Sequence, residues 1–144
     1  MSELIALASD HAGFALKEIV KSHIVDLGFT PLDLGTHSEE SVDYPDYAAK
    51  MAEAIKQGKA SRGILICGSG IGISIAANRH PHIRAALCHN EETARLSREH
   101  NDANVLALGA RIVTEETAKA ATAAFLNTQF AGGRHAGRVA KLSC

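Results

Sequence analysis

Short apolar runs alternate with longer amphipathic windows along the whole chain, and this alternation restricts the possible folds most. Runs typical of β-strands are predicted at Leu4–Ala8, Thr30–Leu34, Arg62–Cys67, Ile83–Cys88 and Val105–Leu108. The windows between and after them carry apolar residues at helical spacing. Strands that alternate with helices form a parallel sheet with right-handed crossovers and helices on both faces. The sequence therefore predicts an α/β fold, a Rossmann-like three-layer sandwich around a five-stranded parallel sheet.

Signals for helix ends support this division of the chain. Gly28 follows the first helical window, where a C-terminal glycine is expected, and Pro45 suits the first turn of the second helix. Asn90 and Thr114 are placed to cap two later helices with their side-chain oxygens.

Length and composition predict a single domain over residues 1–144, because 144 residues with 46% hydrophobic content can bury a substantial core. The net charge of -1 gives no reason to expect attraction to nucleic acid or to a membrane surface. Aromatic residues make up 4% of the chain and tryptophan is absent, which argues against a base-stacking surface.

The first residues carry no basic segment or cleavage pattern, and the run that follows is far too short to cross a bilayer. Three cysteines, Cys67, Cys88 and Cys144, form no C-x-x-C pair, which favours reduced thiols. We therefore expect a cytoplasmic protein.

Residues suited to chemistry follow three of the predicted strands. Asp10 and His11 come after the first strand, Cys67 ends the third, and Arg111 follows the fifth. Ligands of open parallel sheets bind outside the carboxyl ends of the strands. We therefore expect these side chains to share one site.

The turn Gly68–Gly72 between the third strand and its helix is rich in glycine, so its backbone amides can approach an anion closely. It matches neither the dinucleotide-binding nor the Walker signature. Cys67 lies at the amino end of the following helix, where the helix dipole favours a thiolate that could act as a base or nucleophile. The structural alternatives are a plain tight turn and a buried, inert thiol.

Several polar residues have both a functional and a structural interpretation. Asp10 and His11 could bind a hydroxylated, charged substrate or move its protons, but they could equally be a helix cap and a surface histidine. His100 ends a helix and could simply meet its dipole. His80 and His82 have the look of a metal pair, but a solvated turn is favoured because no tetrahedral ligand set accompanies them.

The basic tail, about 131–144, carries Arg134 and Arg138 four residues apart, so a helical tail would present both guanidinium groups as a phosphate fork. A solvated basic terminus is the alternative. A tail that follows the last helix cannot easily return to its own Cys67. We therefore expect it to complete the pocket of a neighbouring subunit.

Five segments together carry a family resemblance: Ser9–Gly13, Asp43–Pro45, Cys67–Asn78, His100–Leu106 and Gly132–His135. Their order and spacing resemble the ribose-5-phosphate isomerase B family, which includes the galactose-6-phosphate isomerase subunits, over essentially the whole chain. The resemblance implies interconversion of ribose 5-phosphate and ribulose 5-phosphate through a cis-enediolate, without metal or other cofactor. It also implies a homodimer with shared active sites, and a tetramer is left open.

The resemblance also implies roles for individual residues. Cys67 would be the base that moves the proton between two carbons, assisted by the hydroxyl of Ser69, and Asp10 would open the sugar ring with His100 of the partner chain. Substrate-binding roles fall on His11, Arg111, Arg134 and Arg138 for the phosphate, Tyr44 and Asn101 for the sugar, and the amides of Gly68, Gly70, Ile71 and Gly72 for the enediolate oxygen. His135 lies beside the phosphate groups without an assigned role.

One branch of the family carries a glutamate base at the position of Ile73 and no cysteine at that of Cys67, so this chain resembles the cysteine-dependent branch. Ser69 departs from the threonine often found there but keeps the hydroxyl. Three alternatives remain at this point: an isomerase of allose or galactose 6-phosphate, a non-catalytic sugar-phosphate-binding module, and a thiol redox protein. The last lacks an obvious resolving cysteine.

Overall fold

The computed structural model describes residues 2–142 and contains five strands and six helices in that range. The strands are β1 (Leu4–Ser9), β2 (Thr30–Asp33), β3 (Arg62–Cys67), β4 (Ala85–Leu87) and β5 (Val105–Gly109). The helices are α1 (Phe14–Asp26), α2 (Tyr44–Lys56), α3 (Ile71–Asn78), α4 (Glu91–Glu99), α5 (Glu115–Asn127) and α6 (Arg134–Ala140).

All strand pairs are parallel, and the order across the sheet is β2-β1-β3-β5-β4. Alternate residues of the central strand β3 point to opposite faces: Ile64 and Ile66 join one core cluster, and Leu65 and Cys67 join the other. Helices α1, α4 and α5 cover the first face, and α2 and α3 cover the second. The predicted fold, with a parallel sheet between two helical layers, is confirmed.

The strand order creates a crevice between the carboxyl ends of β1 and β3. From β1 the chain passes to β2 on one side of the sheet, whereas from β3 it passes to β4 on the other side. The two connections diverge, which leaves an opening between them where ligands of such sheets bind. Asp10 and Cys67 therefore stand at opposite sides of this opening.

Local signals set most helix ends as predicted. Gly28 adopts φ +96° after α1, the Asn90 side chain accepts a hydrogen bond from the Thr93 amide at 2.8 Å, and Thr114 accepts one from the Thr117 amide at 3.1 Å. No helix within residues 2–142 is long and apolar enough to span a membrane.

Four strands have bounds other than those predicted: β1 and β5 each extend one residue further, to Ser9 and Gly109, and β4 and β2 are shorter. Strand β4 covers only Ala85–Leu87 rather than Ile83–Cys88, because the Ile83 amide still donates to His80 of the preceding turn and the Arg84 amide donates to the Asn104 side chain. Strand β2 likewise ends at Asp33.

Candidate active site

Cys67 is the last residue of β3, at the carboxyl end of the sheet. Its side chain is 4% exposed, and its Sγ accepts a hydrogen bond from the Gly70 amide at 3.2 Å. Gly70 adopts φ +78°, and a Cβ there would lie 2.8 Å from the Leu108 carbonyl carbon and 2.9 Å from the Gly109 nitrogen. Only glycine fits this position without strain, and its amide holds the sulfur in place.

The turn after β5 packs directly on the glycine turn. A Cβ on Gly109 would lie 2.4 Å from the Ser69 carbonyl oxygen, so this glycine permits the contact. The Arg111 amide donates to the Gly68 carbonyl at 2.9 Å, and the Arg111 Nη1 lies 3.1 Å from where a Gly68 Cβ would be. The guanidinium group therefore lies over the turn and supplies a positive charge beside Cys67.

Two more predicted residues lie on this turn. The Tyr44 ring covers Gly72, since a Cβ there would be 2.6 Å from the ring Cζ and 3.0 Å from the hydroxyl. The Ser69 Oγ accepts a hydrogen bond from the Ile71 amide at 3.1 Å, so the Ser69 hydroxyl proton stays available to another acceptor.

Asp10 and His11 form the other wall of the crevice. Asp10 is 7% exposed, and its Oδ1 accepts a hydrogen bond from the Gly13 amide at 3.1 Å. The N-cap of α1 is Gly13, so Asp10 caps the turn that leads into this helix rather than the helix itself. The His11 Nδ1 accepts a hydrogen bond from the Val42 amide at 3.1 Å. The proton of the neutral ring is therefore on Nε2, which can donate a hydrogen bond to an anion.

A second cluster lies where α4 ends against α6. His100, Asn101, His135 and Arg138 line a cavity of about 280 Å³. The rings of His100 and His135 stack with centroids 4.4 Å apart and an interplanar angle of 16°. Packing against neighbours, followed by the positive charges of His100, Arg134 and Arg138, lowers the pKa of His135.

The two clusters lie at opposite ends of the strands, the Cys67 cluster at the carboxyl ends and the His100 cluster at the amino ends. Helix α4 starts beyond the carboxyl end of β4 and runs back, so His100 lies near the amino end of β5. Val105 at that end pairs with Gly63, whereas Cys67 pairs with Gly109 at the other end. Four residues of strand separate these positions, about 13 Å. The structure thus groups Cys67 with Asp10, and separates His100 from both within one chain.

An apolar surface adjoins the Cys67 cluster. Ile71 and Ile75 are 53% and 60% exposed on α3, and Tyr44 is exposed beside them. Two large aliphatic side chains one helical turn apart are typical of a surface that another protein covers.

Other candidate residues have structural roles. His82 lies in a turn as predicted, but it is half-buried and its Nε2 is 2.7 Å from the Ala52 carbonyl oxygen. Cys88 is buried, and burial raises the pKa of its thiol. No group of three or more His, Cys, Asp or Glu side chains within residues 2–142 is arranged to hold a metal ion. Cys144 lies outside the described residues.

Two features were not predicted: Lys17 is completely buried, and Gly109 packs closely on Ser69. Lys17 had a detectable signal, because it falls on the same helical stripe as Val20 and Ile24. The packing of Gly109 had no such signal, since its partner Ser69 lies in a turn that is distant in sequence.

The fold and the crevice define a class: an α/β protein with a thiol, a carboxylate and a guanidinium group around a glycine-rich turn at the carboxyl edge of its sheet. Such a site is suited to proton transfer on an anionic substrate.

Comparison with known proteins agrees with this class. The sequence model of the Ribose/Galactose Isomerase family matches residues 5–142, and the chain belongs to this family. Ribose-5-phosphate isomerase B of Escherichia coli (strain K12) is 50% identical over 135 residues, which is 94% of this chain and 91% of that protein. The prediction of an enzyme of the isomerase class is confirmed.

Solved structures give the same result. The Thermotoga maritima ribose 5-phosphate isomerase structure superposes with a TM-score of 0.96 at 51% identity, covering 99% of each chain. The Clostridium thermocellum ribose-5-phosphate isomerase B structure superposes with a TM-score of 0.95 at 52% identity, covering 97% of this chain and 95% of that one.

Proposed function

We propose that this protein interconverts ribose 5-phosphate and ribulose 5-phosphate, with Cys67 as the base and without a metal. The observation that carries the proposal is the Cys67 sulfur held by the Gly70 amide at 3.2 Å, beside the Arg111 guanidinium. The proposal places proton transfer at this sulfur because it accepts a backbone hydrogen bond and has a guanidinium group close by.

The isomerisation is a proton transfer between neighbouring carbons. Cys67 removes the proton from C2 of the open-chain aldose, and the electron pair moves to give an enediolate with charge on O1. The same sulfur returns the proton to C1, while a proton passes between O2 and O1 with help from the Ser69 hydroxyl. Each well-placed amide donor to the enediolate oxygen is worth about 3–4 kcal/mol.

The backbone amides of the turn have two separate roles. Those of Gly70 and Ile71 already donate to Cys67 Sγ and Ser69 Oγ, so they orient the two side chains that act on the substrate. The amides of Gly68 and Gly72 are the ones proposed to face the enediolate oxygen, with the Tyr44 ring along the sugar.

Phosphate binding and ring opening draw on both clusters. His11 Nε2 and Arg111 bind phosphate from the crevice, and Arg134 and Arg138 bind it from the second cluster. Asp10 and His100 act on the ring oxygen and the anomeric hydroxyl as an acid–base pair, which converts the furanose to the aldehyde that Cys67 requires. Asn101 contacts the sugar.

Because the clusters lie at opposite ends of the strands, we propose that the second cluster comes from another copy of the chain. A two-fold axis across α3 would bury Ile71 and Ile75 and turn the amino end of one α3 toward the carboxyl end of the other. Asn78, at that carboxyl end, lines a cavity together with Asn101. The proposed homodimer thus brings His100 and tail residues 131–142 toward the partner's Cys67.

The test of the base is Cys67→Ala, with Cys88→Ala as the matched control, since both thiols are buried. We expect Cys67→Ala to abolish isomerisation while sugar phosphate still binds in calorimetry, and Cys88→Ala to keep turnover. Undiminished turnover by Cys67→Ala would remove the thiol from the mechanism. Turnover should also survive dialysis against EDTA, and its loss with recovery on adding a divalent metal would refute the metal-free proposal.

Coupled assays on ribose 5-phosphate, allose 6-phosphate and galactose 6-phosphate test the substrate. We expect the five-carbon sugar phosphate to give the highest kcat/KM, in line with the named relatives. A higher value for a six-carbon substrate would favour the alternative isomerase, and binding without turnover of any of them would favour a non-catalytic module.

A further inference from the structure

A fully buried lysine of helix α1 takes no part in the proposed chemistry. Lys17 is 0% exposed, and its Nζ lies 2.7 Å from both carboxylate oxygens of Asp33. Removing an ammonium group from water costs several kcal/mol even when it is paired, and apolar residues of similar size often replace such pairs without loss of stability. Core stability alone therefore does not account for a lysine at this position.

Hydrogen bonds connect this pair to the residue before Asp10, at the end of β1. Asp33 Oδ1 also accepts the Gly35 amide at 2.9 Å. The Gly35 carbonyl accepts the Ser9 amide at 2.8 Å, and the Thr36 amide donates to the Ser9 carbonyl at 3.0 Å. Ser9 is buried and directly precedes Asp10.

Lys17 is also connected to Asp10 through the first turn of α1. The Lys17 amide donates to the Gly13 carbonyl at 2.8 Å, and the Gly13 amide donates to Asp10 Oδ1 at 3.1 Å. The path from Lys17 through Asp33, Gly35 and Ser9 to Asp10, and back through Gly13, is a closed ring. We refer to it below as the Lys17 ring.

We propose that Lys17 and Asp33 are positioning residues that hold Asp10 in the orientation needed to open the sugar ring. This inference rests on the proposed function, which assigns ring opening to Asp10. The Lys17 ring fixes the backbone on both sides of Asp10 and one of its two carboxylate oxygens, which leaves the other oxygen for the substrate. Displacement of a reacting group by about 1 Å can lower a rate about 100-fold.

A ring-opening defect has a signature that general destabilisation lacks. Ribose 5-phosphate is mostly a closed ring in water, whereas ribulose 5-phosphate has no furanose form because its O5 carries the phosphate. An enzyme that no longer opens the ring depends on the aldehyde that forms spontaneously. Its initial rate on ribose 5-phosphate then stops rising with enzyme concentration, while its rate on ribulose 5-phosphate still rises in proportion.

The experiment compares Lys17→Met and the double variant K17M/D33L with Asp10→Asn and Lys21→Met. K17M keeps the Asp33 contact with Lys21, 2.9 Å away, so it should fold even if the double variant does not. Lys21→Met is the matched control, because it removes a cation from the same carboxylate but leaves the Lys17 ring intact. Circular dichroism and thermal unfolding verify the fold of each variant.

We expect K17M and K17M/D33L to reproduce the plateau of Asp10→Asn on ribose 5-phosphate. At enzyme concentrations below the plateau, where the rate still rises with enzyme, we expect kcat to be reduced about 10- to 100-fold. Lys21→Met should show no plateau. Folded Lys17 variants without a plateau, alongside an Asp10→Asn enzyme that has one, would overturn the positioning role alone. An Asp10→Asn enzyme without a plateau would instead refute the ring-opening role in the proposed function, and the inference with it.

Discussion

Replacing Gly70 by alanine tests whether the shape of the glycine turn, rather than its sequence alone, holds the Cys67 sulfur. Gly70 has φ +78°, and an L-residue pays about 1–2 kcal/mol to adopt that conformation. Its Cβ would also lie within 3.0 Å of Leu87 Cδ1 and of the backbone at Leu108 and Gly109. Forcing a methyl group into packed structure costs about 1–3 kcal/mol more.

Gly58 provides a control that separates the two contributions. It has φ +75°, close to that of Gly70, but a Cβ there would have no heavy atom within 4 Å. Gly58→Ala should therefore lose only the conformational part, about 1–2 kcal/mol. Gly70→Ala should lose about 2–5 kcal/mol, the sum of both parts.

Urea unfolding of both variants measures the difference, provided that the slope of the transition stays unchanged. Activity gives a second readout, because moving Gly70 shifts the amide that donates to Cys67. We expect a large loss of kcat in Gly70→Ala and wild-type kcat in Gly58→Ala. Equal losses of stability in the two variants, or full activity in Gly70→Ala, would refute this account of the turn.

Three further predictions concern charged groups. Arg134→Ala should raise KM about 10- to 100-fold, because a hydrogen bond to a charged group is worth about 1.5–3 kcal/mol, and an unchanged KM would mean that the tail does not contact phosphate. Burial alone would raise the pKa of Asp33, but hydrogen bonds from Lys17, Lys21 and the Gly35 amide lower it from 3.8 to about 2. The lowered pKa contributes on the order of 1–2 kcal/mol to the free energy of unfolding above about pH 4, and this contribution is lost as the pH falls toward 2. In Asp33→Asn the free energy of unfolding should not show this decrease. The same decrease at acid pH in wild type and variant would contradict the assignment. In NMR titration the pKa of His135 should lie below 6.5 and rise in His100→Ala, and no rise would mean that the stacked ring has no electrostatic effect.

Short-range interactions made the helix ends and the position of the site predictable from the sequence. Gly28, Asn90 and Thr114 mark helix ends through interactions with backbone groups a few residues away, so their roles can be derived from sequence. The grouping of Asp10 with Cys67 was also predictable, because all strands of a parallel sheet end at the same edge.

Long-range packing decided the features that the sequence analysis missed. The burial and pairing of Lys17 were not predicted, since its partner Asp33 lies across a helix-to-strand connection. The strand order, with β5 between β3 and β4, was not predicted, because the length of a connection does not specify which neighbour a strand pairs with.

The sequence by itself determined the alternation of elements, the parallel sheet and the residues able to carry chemistry, because each depends on side-chain type and short-range spacing. Only the tertiary structure decided that Cys67 and His100 lie at opposite ends of the strands, that His100 stacks on His135, and that the buried Lys17 pairs with Asp33. These relations depend on how whole elements pack against one another, and no local pattern in the chain encodes that arrangement.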